Sequence, residues 1–295
     1  MNGVIVIDKP PGLTSHDVVN RVRRILGQRS VGHLGTLDPS ATGVLPVVLG
    51  NLTRLAQFYV HSEKTYEGVI RFGFATDTYD ADGDPTTLLQ DVHVNCDEVR
   101  AVAAQFQGTI EQMPPPFSAK KIAGVPAYKL ARKKQEVALK PVQVEIKEFE
   151  ILATTADQAT FRARVASGTY IRSVAHEMGL KLGCGAHLAS LRRTAVAEFA
   201  IEDAHSLAAL EAAMQQGSAE SLFVHPRKLV PQLPSVTASE ESAALIRSGR
   251  AVNLPEMSRA PQVKVFYGQR DLIAIATRIA GTLFHPQIVF TGSAD

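Results

Sequence analysis

GHLGTLDPSATGVLP, residues 32–46, holds three glycines, two prolines, one histidine and a single carboxylate, Asp38. Glycine supplies positive φ and proline removes a backbone donor, so a segment this rich in both cannot run far as helix or strand. It reads as a shaped loop between a helix before it and the apolar run 44–49 after it. Loops held by a rigid scaffold are where chemistry concentrates. An Asp before a Pro is also an ordinary way to open a turn. Asp38 is therefore the first candidate site residue, and the rest of the chain has to decide between the two readings.

Upstream of the loop, residues 4–7 form a β-branched run that reads as a buried strand, ended by Lys9-Pro10-Pro11-Gly12. Thr14 or Ser15 then caps a helix running to about residue 26, with Asp17 in its first turn. That helix carries Val18, Val19, Val22, Ile25 and Leu26 on one face and Arg21, Arg23 and Arg24 towards the other, a solvated basic face. Downstream, residues 53–60 read as a short helix and residues 65–74 as a strand with Tyr66 near its start. Asp77, Asp80, Asp82 and Asp84 alternate like the opening of a calcium loop. No glutamate follows at the twelfth position and the chain runs on to Pro85, so the segment is not an EF-hand.

A helix is expected over 96–106, strands over 142–152 and 161–166, a helix over 173–182, a strand over 195–201 and a helix over 206–216. The proline-punctuated stretch 225–234, HPRKLVPQLP, marks a boundary. It divides the chain into 1–228 and a β-rich remainder, 235–295, with a short helix at 239–248 and strands at 262–267, 271–278 and 287–290. A module of about 60 residues is near the lower limit for folding alone, so it is expected to lean on the first domain.

The 295 residues are 45% hydrophobic and 20% charged, the balance of a globular chain. No apolar run reaches the roughly 18 residues that cross a bilayer, and the N-terminus lacks a basic stretch followed by a small-residue cleavage site. The expectation is a cytoplasmic protein without a membrane contact. Cys96 and Cys184 show no ligand spacing, so neither a disulfide nor a metal is expected. A net charge of +2 leaves nucleic acid open as a partner and makes the distribution of charge the informative quantity. That distribution is uneven. Residues 113–141 open with three prolines and hold seven basic side chains in 29 residues, among them Lys120, Lys121, Arg132, Lys133 and Lys134, interleaved with Phe117 and Tyr128. The composition fits an RNA-binding arm that closes on a phosphate backbone.

Six ordered segments now join into one pattern: NGVIVIDKPPGLTSHDVV (2–19), the 32–46 loop, KTYEGVIRFG (64–73), TDTYDADG (76–83), SGTYIRS (167–173) and GCGAHLASLRR (183–193). Together they resemble the TruB family of tRNA pseudouridine synthases, over the chain to about residue 205. The resemblance implies an α+β fold: a catalytic domain on a mixed central β-sheet, followed by a small β-rich, PUA-like C-terminal module. It implies conversion of a T-loop uridine, position 55 of tRNA, to pseudouridine without cofactor or metal. Asp38 falls on the family's catalytic aspartate, Arg172 on its basic partner, and Tyr66 on the active-site tyrosine that lies on the target uracil. Tyr170 and Leu191 match substrate-pocket positions, and His33 matches the histidine that contacts RNA beside the flipped nucleotide. Asp80 matches a position that orders its neighbours, and Lys9 a motif beside the catalytic loop.

The chemistry accounts for the carboxylate. Isomerisation breaks N1–C1′, turns the freed uracil and joins C5 to the same sugar carbon. A carboxylate can attack C1′ or take the C2′ proton, and sequence leaves both routes open. The uridine must first be extruded from the folded RNA. The expected agent is a monomer acting alone on tRNA. Two alternatives stay open here: a guide-RNA-dependent relative, and a tRNA-binding or folding protein with no catalysis.

Overall fold

The computed structural model describes residues 1–118, 121–122, 125–126 and 139–290, the two short pairs in the middle by backbone alone. In chain order the elements begin with β1 (Gly3–Lys9), α1 (Ser15–Ile25), β2 (Val31–His33), β3 (Thr42–Leu49), a 3-10 helix (Gly50–Phe58), β4 (Lys64–Phe72) and α2 (Cys96–Ala104). They continue with β5 (Gly108–Gln112), β6 (Lys121–Ile122), β7 (Val125–Pro126), β8 (Val142–Thr154), β9 (Gln158–Val165), α3 (Ile171–Leu182), β10 (Ala186–Val196), β11 (Phe199–Ala200) and α4 (Leu207–Gln215). The C-terminal part holds β12 (Ser235–Ala238), α5 (Glu240–Arg247), β13 (Val252–Asn253), β14 (Gln262–Tyr267), β15 (Asp271–Ala280) and β16 (Leu283–Val289). Backbone contacts gather these into two compact units: Met1–Asp38, Gly43–Val60 and Glu198–Asp295 in the first, Pro39–Thr42 and His61–Ala197 in the second.

In the first unit β1 lies antiparallel to β3, Gly3 opposite Leu49 and Lys9 opposite Gly43, while β2 pairs with the far end of β3. Helices α1 and α4 bury Val18, Val22 and Leu210 against Ile5, Ile7, Leu45, Val47 and Leu49. Each such aliphatic chain removed from water contributes about 1.5–3 kcal/mol. Helix α1 starts where expected: Thr14 accepts the Asp17 N–H at 3.0 Å and the Asp17 carboxylate accepts the Thr14 N–H at 2.9 Å, a closed capping box. The loop of residues 32–46 is shorter than its composition suggests. Its two ends are strand, at β2 and β3, because Val31 and the 44–49 run complete a ladder that local turn propensity cannot refuse.

The C-terminal sheet has the order β12-β14-β15-β16-β13, with β12 parallel to β14 and the other pairs antiparallel. Its core is Val236, Ile246, Val263, Val265, Ile273 and Phe284, with α5 contributing Ala243 and Ile246. Within the first unit this sheet is tied back by buried Lys264, whose ammonium donates to the carbonyls of Leu229 at 2.6 Å and Arg227 at 3.0 Å. Arg54 donates to the carbonyl of Val289 at 3.0 Å.

The second unit is an antiparallel run β10-β4-β9-β8-β5 with α2 against β8 and α3 against β10, and β6 pairs with β7. Strand β4 buries Tyr66, Gly68, Ile70 and Phe72, every second residue. Two expectations are corrected here. The strand placed at 195–201 begins nine residues earlier, at Ala186 of β10, and is followed by the separate two-residue β11. Register shifts at Leu188/Ser190 and Arg193/Ala195 break its period of two, which is why alternation did not reveal it. The helix placed at 53–60 is a 3-10 helix starting at Gly50. Together these elements make an α+β fold.

Candidate active site

The candidate residues divide between the two units. In the first, Asp38 follows Leu37 at the tip of the 34–41 loop and is half-buried. Its neighbour is stapled: the buried Ser15 hydroxyl accepts the Leu37 N–H at 2.8 Å and donates to the Leu37 carbonyl at 3.1 Å. A capped helix thus holds the backbone one residue before the carboxylate, and Leu34 and Leu37 anchor the loop in the core. Gly35, at φ +110°, takes a turn that a side chain would strain. His33 ends β2 opposite Val47 and is half-buried. Lys9 is fully buried opposite Gly43, where the loop re-enters β3, and its ammonium donates to the Pro10 carbonyl at 2.9 Å.

In the second unit the site is built on the start of α3. Arg172, the second residue of that helix, is 6% exposed and pairs with Asp80 Oδ2 at 3.3 Å. It also donates to the carbonyls of Thr78 at 3.1 Å and Phe117 at 3.0 Å. Asp80 is held from its other side, where Oδ1 accepts from the Thr78 hydroxyl at 2.5 Å and the Asp82 N–H at 3.2 Å. Thr76 donates to the Asp80 carbonyl at 2.7 Å, and Asp77 accepts the Asp84 N–H at 3.0 Å. The Asp77 and Asp80 carboxylates are therefore spent on the shape of the loop and on Arg172. Among the described residues no group of three or more His, Cys, Asp or Glu side chains is arranged to hold a metal ion. Tyr79, between Thr78 and Asp80, sits at φ +65°, and its ring stacks on His176 of α3 at 3.8 Å between centroids. A non-glycine residue in that region costs about 1–3 kcal/mol, and the tertiary contacts around it hold it there.

Tyr170 is the N-cap of α3 and offers no side-chain cap. The cap is instead fixed by buried Gln112, whose amide accepts the Tyr170 N–H at 2.8 Å and donates to the Tyr170 carbonyl at 3.1 Å. Ser173 donates to the Met113 carbonyl at 2.7 Å. The root of the basic insertion is thus bonded to the helix turn that carries Arg172. Of the arm itself, Lys120, Arg132, Lys133 and Lys134 lie outside the described residues, and Lys121 is described only as backbone in β6.

Tyr66 and Leu191 come together across β4 and β10. Tyr66 stands opposite Arg193 and Leu191 opposite Gly68, so all four share one face of the sheet. Gly68 admits no side chain, since a Cβ there would lie 2.5 Å from the Ser190 carbonyl oxygen and 2.8 Å from the Phe161 ring. Arg193 is fully buried and donates a hydrogen bond to Tyr66. Burial pushes the Arg193 guanidinium below its usual range, and the bond to Tyr66 offsets part of that. Burial, and then the charge of Arg193, bring Lys64 down from 10.5 to about 8. Sequence reasoning missed Gln112, Arg193 and the Ser15 staple. The period-two spacing from Leu191 to Arg193 was a usable signal for the second; the others are tertiary partners with no local mark.

The profile of the TruB family pseudouridylate synthase N-terminal domain matches residues 23–171, and that of the tRNA pseudouridylate synthase B C-terminal domain matches residues 172–233. A protein named tRNA pseudouridine synthase B from Solibacter usitatus is 47% identical over 292 residues, 98% of this chain and 100% of its own length. Another of the same name from Dehalococcoides mccartyi is 40% identical over 98% of this chain and 97% of its own length. A crystal structure of a Cbf5-Nop10-Gar1 complex contains a similar chain, with a TM-score of 0.72 at 29% identity over 98% of this chain and 85% of that one. On these matches the chain belongs to the TruB family of pseudouridylate synthases.

Proposed function

We propose that this chain isomerises uridine to pseudouridine at position 55 in the T-loop of tRNA, acting alone. The observation that carries the reading is the full-length, 47%-identical relative named tRNA pseudouridine synthase B. Asp38 is the group that opens the glycosidic bond, by attack at C1′ or by removal of the C2′ proton, and either route needs it ionised. The staple from Ser15 supports this role, because a reacting carboxylate needs a fixed backbone and a half-buried setting. Arg172 is its cationic partner, oriented from behind by Asp80. A guanidinium with one carboxylate and two carbonyls already in place costs little reorganisation when substrate charge develops.

Tyr66, Tyr170 and Leu191 form the walls that hold the detached uracil and keep water from C1′. His33 contacts the RNA where the nucleotide leaves its stack, and Lys9 supports the loop. Residues 1–228 are the catalytic domain, 113–141 its RNA-gripping arm, and 235–295 the PUA-like module that adds contact with RNA. The enzyme works as a cytoplasmic monomer, and an isomerisation moves no net electrons, so no redox cofactor is called for.

The Cbf5-Nop10-Gar1 likeness, at 29% identity, is a more distant match than the 47%-identical relative. Purified chain is incubated with a T-stem-loop RNA and nothing else, and the digested RNA is separated for pseudouridine. One pseudouridine per stem-loop supports the proposal. Conversion only after a guide RNA is added, or binding with no conversion, overturns it in favour of one alternative or the other.

A further inference from the structure

Arg193 has no part in the reading above, yet it is among the largest fully buried side chains of the described residues. Taking a guanidinium out of water costs several kcal/mol, and an apolar side chain would fill the same space more cheaply. Its position is also singled out by the backbone. Register shifts between Leu188 and Ser190 and between Arg193 and Ala195 bracket the segment that carries Leu191 and Arg193, and bulges of this kind re-aim side chains next to sites. Within that bracket Arg193 stands directly opposite Tyr66 and donates to it.

The kind of bond matters. A guanidinium is donor-only, whereas a phenol has one proton and two lone pairs. Arg193 fills one lone pair and cannot take the phenol proton. That leaves the second lone pair and the O–H of Tyr66 free of this contact and aimed by it. An apolar neighbour would leave the ring packed but its oxygen undirected. Lys64, two residues before Tyr66 on β4 and opposite Val196 of β10, is a second cationic group on the same strand pair.

We propose that Arg193 is a positioning residue that aims the Tyr66 oxygen at C5 of the rebonded uracil, so that Tyr66 takes the C5 proton. The inference rests on the isomerase reading and names a device within it. Once C5 has bonded to C1′ it is tetrahedral and still carries its hydrogen. The C5–H electron pair returns to the ring and restores the C5=C6 double bond. The proton moves to the free lone pair of the phenol, and the phenol's own proton passes to water. No electrons are gained or lost.

The test uses the full chain with T-stem-loop RNA carrying either uridine or 5-deuterouridine at the target, and the variants Arg193→Met, Arg193→Lys and Tyr66→Phe. Arg193→Met should lose about 10- to 100-fold in kcat with KM within about threefold, as expected when a reacting group is misaimed. Its deuterium effect on kcat should exceed that of the wild type, because C5–H cleavage has become slower. Arg193→Lys, which restores a buried donor, should recover at least about fivefold of the loss. In a Tyr66→Phe background Arg193→Met should add less than about threefold, since there is no oxygen left to aim. An unchanged deuterium effect in both Arg193 variants, or a full additional loss in the Tyr66→Phe background, overturns the proposal. Should Arg193→Met not fold, the shorter and neutral Arg193→Gln takes its place, and a kcat and deuterium effect both as in wild type refute the inference. Absence of conversion by wild type would instead sink the isomerase reading, so the two failures are told apart.

Discussion

Replacing Asp80 with Asn removes one charge from the Arg172 pair and leaves the shape almost unchanged. At 3.3 Å the gross attraction is about 5 kcal/mol in an effective dielectric of about 20. Both side chains are nearly buried, 7% and 11% exposed, so the Arg172 charge stays out of water when its partner charge is lost. Breaking a buried pair from one side typically costs about 3–5 kcal/mol. Here the cost is lower, because Arg172 keeps the Thr78 and Phe117 carbonyls and the new amide oxygen still accepts from Asp82 and Thr78. About 2–3 kcal/mol remains, which lowers the melting temperature of a chain this size by roughly 4–12 °C. The same change lets Arg172 wander, and kcat should fall about 10- to 100-fold. Thermal unfolding followed by circular dichroism, with kcat measured on a T-stem-loop, tests both. A variant melting within about 1 °C of the wild type at full kcat would refute the claim that Asp80 holds Arg172 in place.

Two further predictions concern charge elsewhere. Lys64 is depressed from 10.5 to about 8, so the unfolded chain binds its proton more tightly between those values. Its contribution to stability is full above pH 10.5, is lost as pH falls through about 8, and amounts to about 1–2 kcal/mol after discounting for its part-exposed position. Denaturant midpoints of wild type and Lys64→Met should converge as pH rises from 8 to 10.5; parallel curves would show that Lys64 is not desolvated. Neutralising Lys120, Lys121, Lys133 and Lys134 together should weaken RNA binding and reduce the slope of log K against log salt by about three to four, and an unchanged slope would remove the arm from the RNA interface.

What the sequence carried and what it hid follows from the range of the interactions. The β-branched run before Lys9 became β1, with Val4, Ile5, Val6 and Ile7 all fully buried, because a short unbroken run of β-branched residues is a local signal. The Thr14 cap and the strand Gln262–Tyr267 were legible for the same reason. Strand β10 was not: His187, Arg192 and Arg193 and its two register shifts erase the period that marks a strand. The motif segments pointed to Arg172, Asp80, Tyr66 and Leu191 one by one. Nothing local could say that Arg172 pairs with Asp80, or that Tyr66 faces a buried arginine, since both are set by which strands and loops the fold brings together. Gln112 was invisible for a further reason. A glutamine at a strand end reads as solvent-facing, and only the Tyr170 backbone at the start of α3 gives its amide work.

The central claim is that Asp38 opens the glycosidic bond. It is tested most directly by release of the uridine C5 hydrogen from a T-stem-loop, with wild type and Asp38→Asn compared at matched RNA affinity. The account predicts full release by wild type and none by Asp38→Asn, with near-equal binding. Release by Asp38→Asn at the wild-type rate would contradict it.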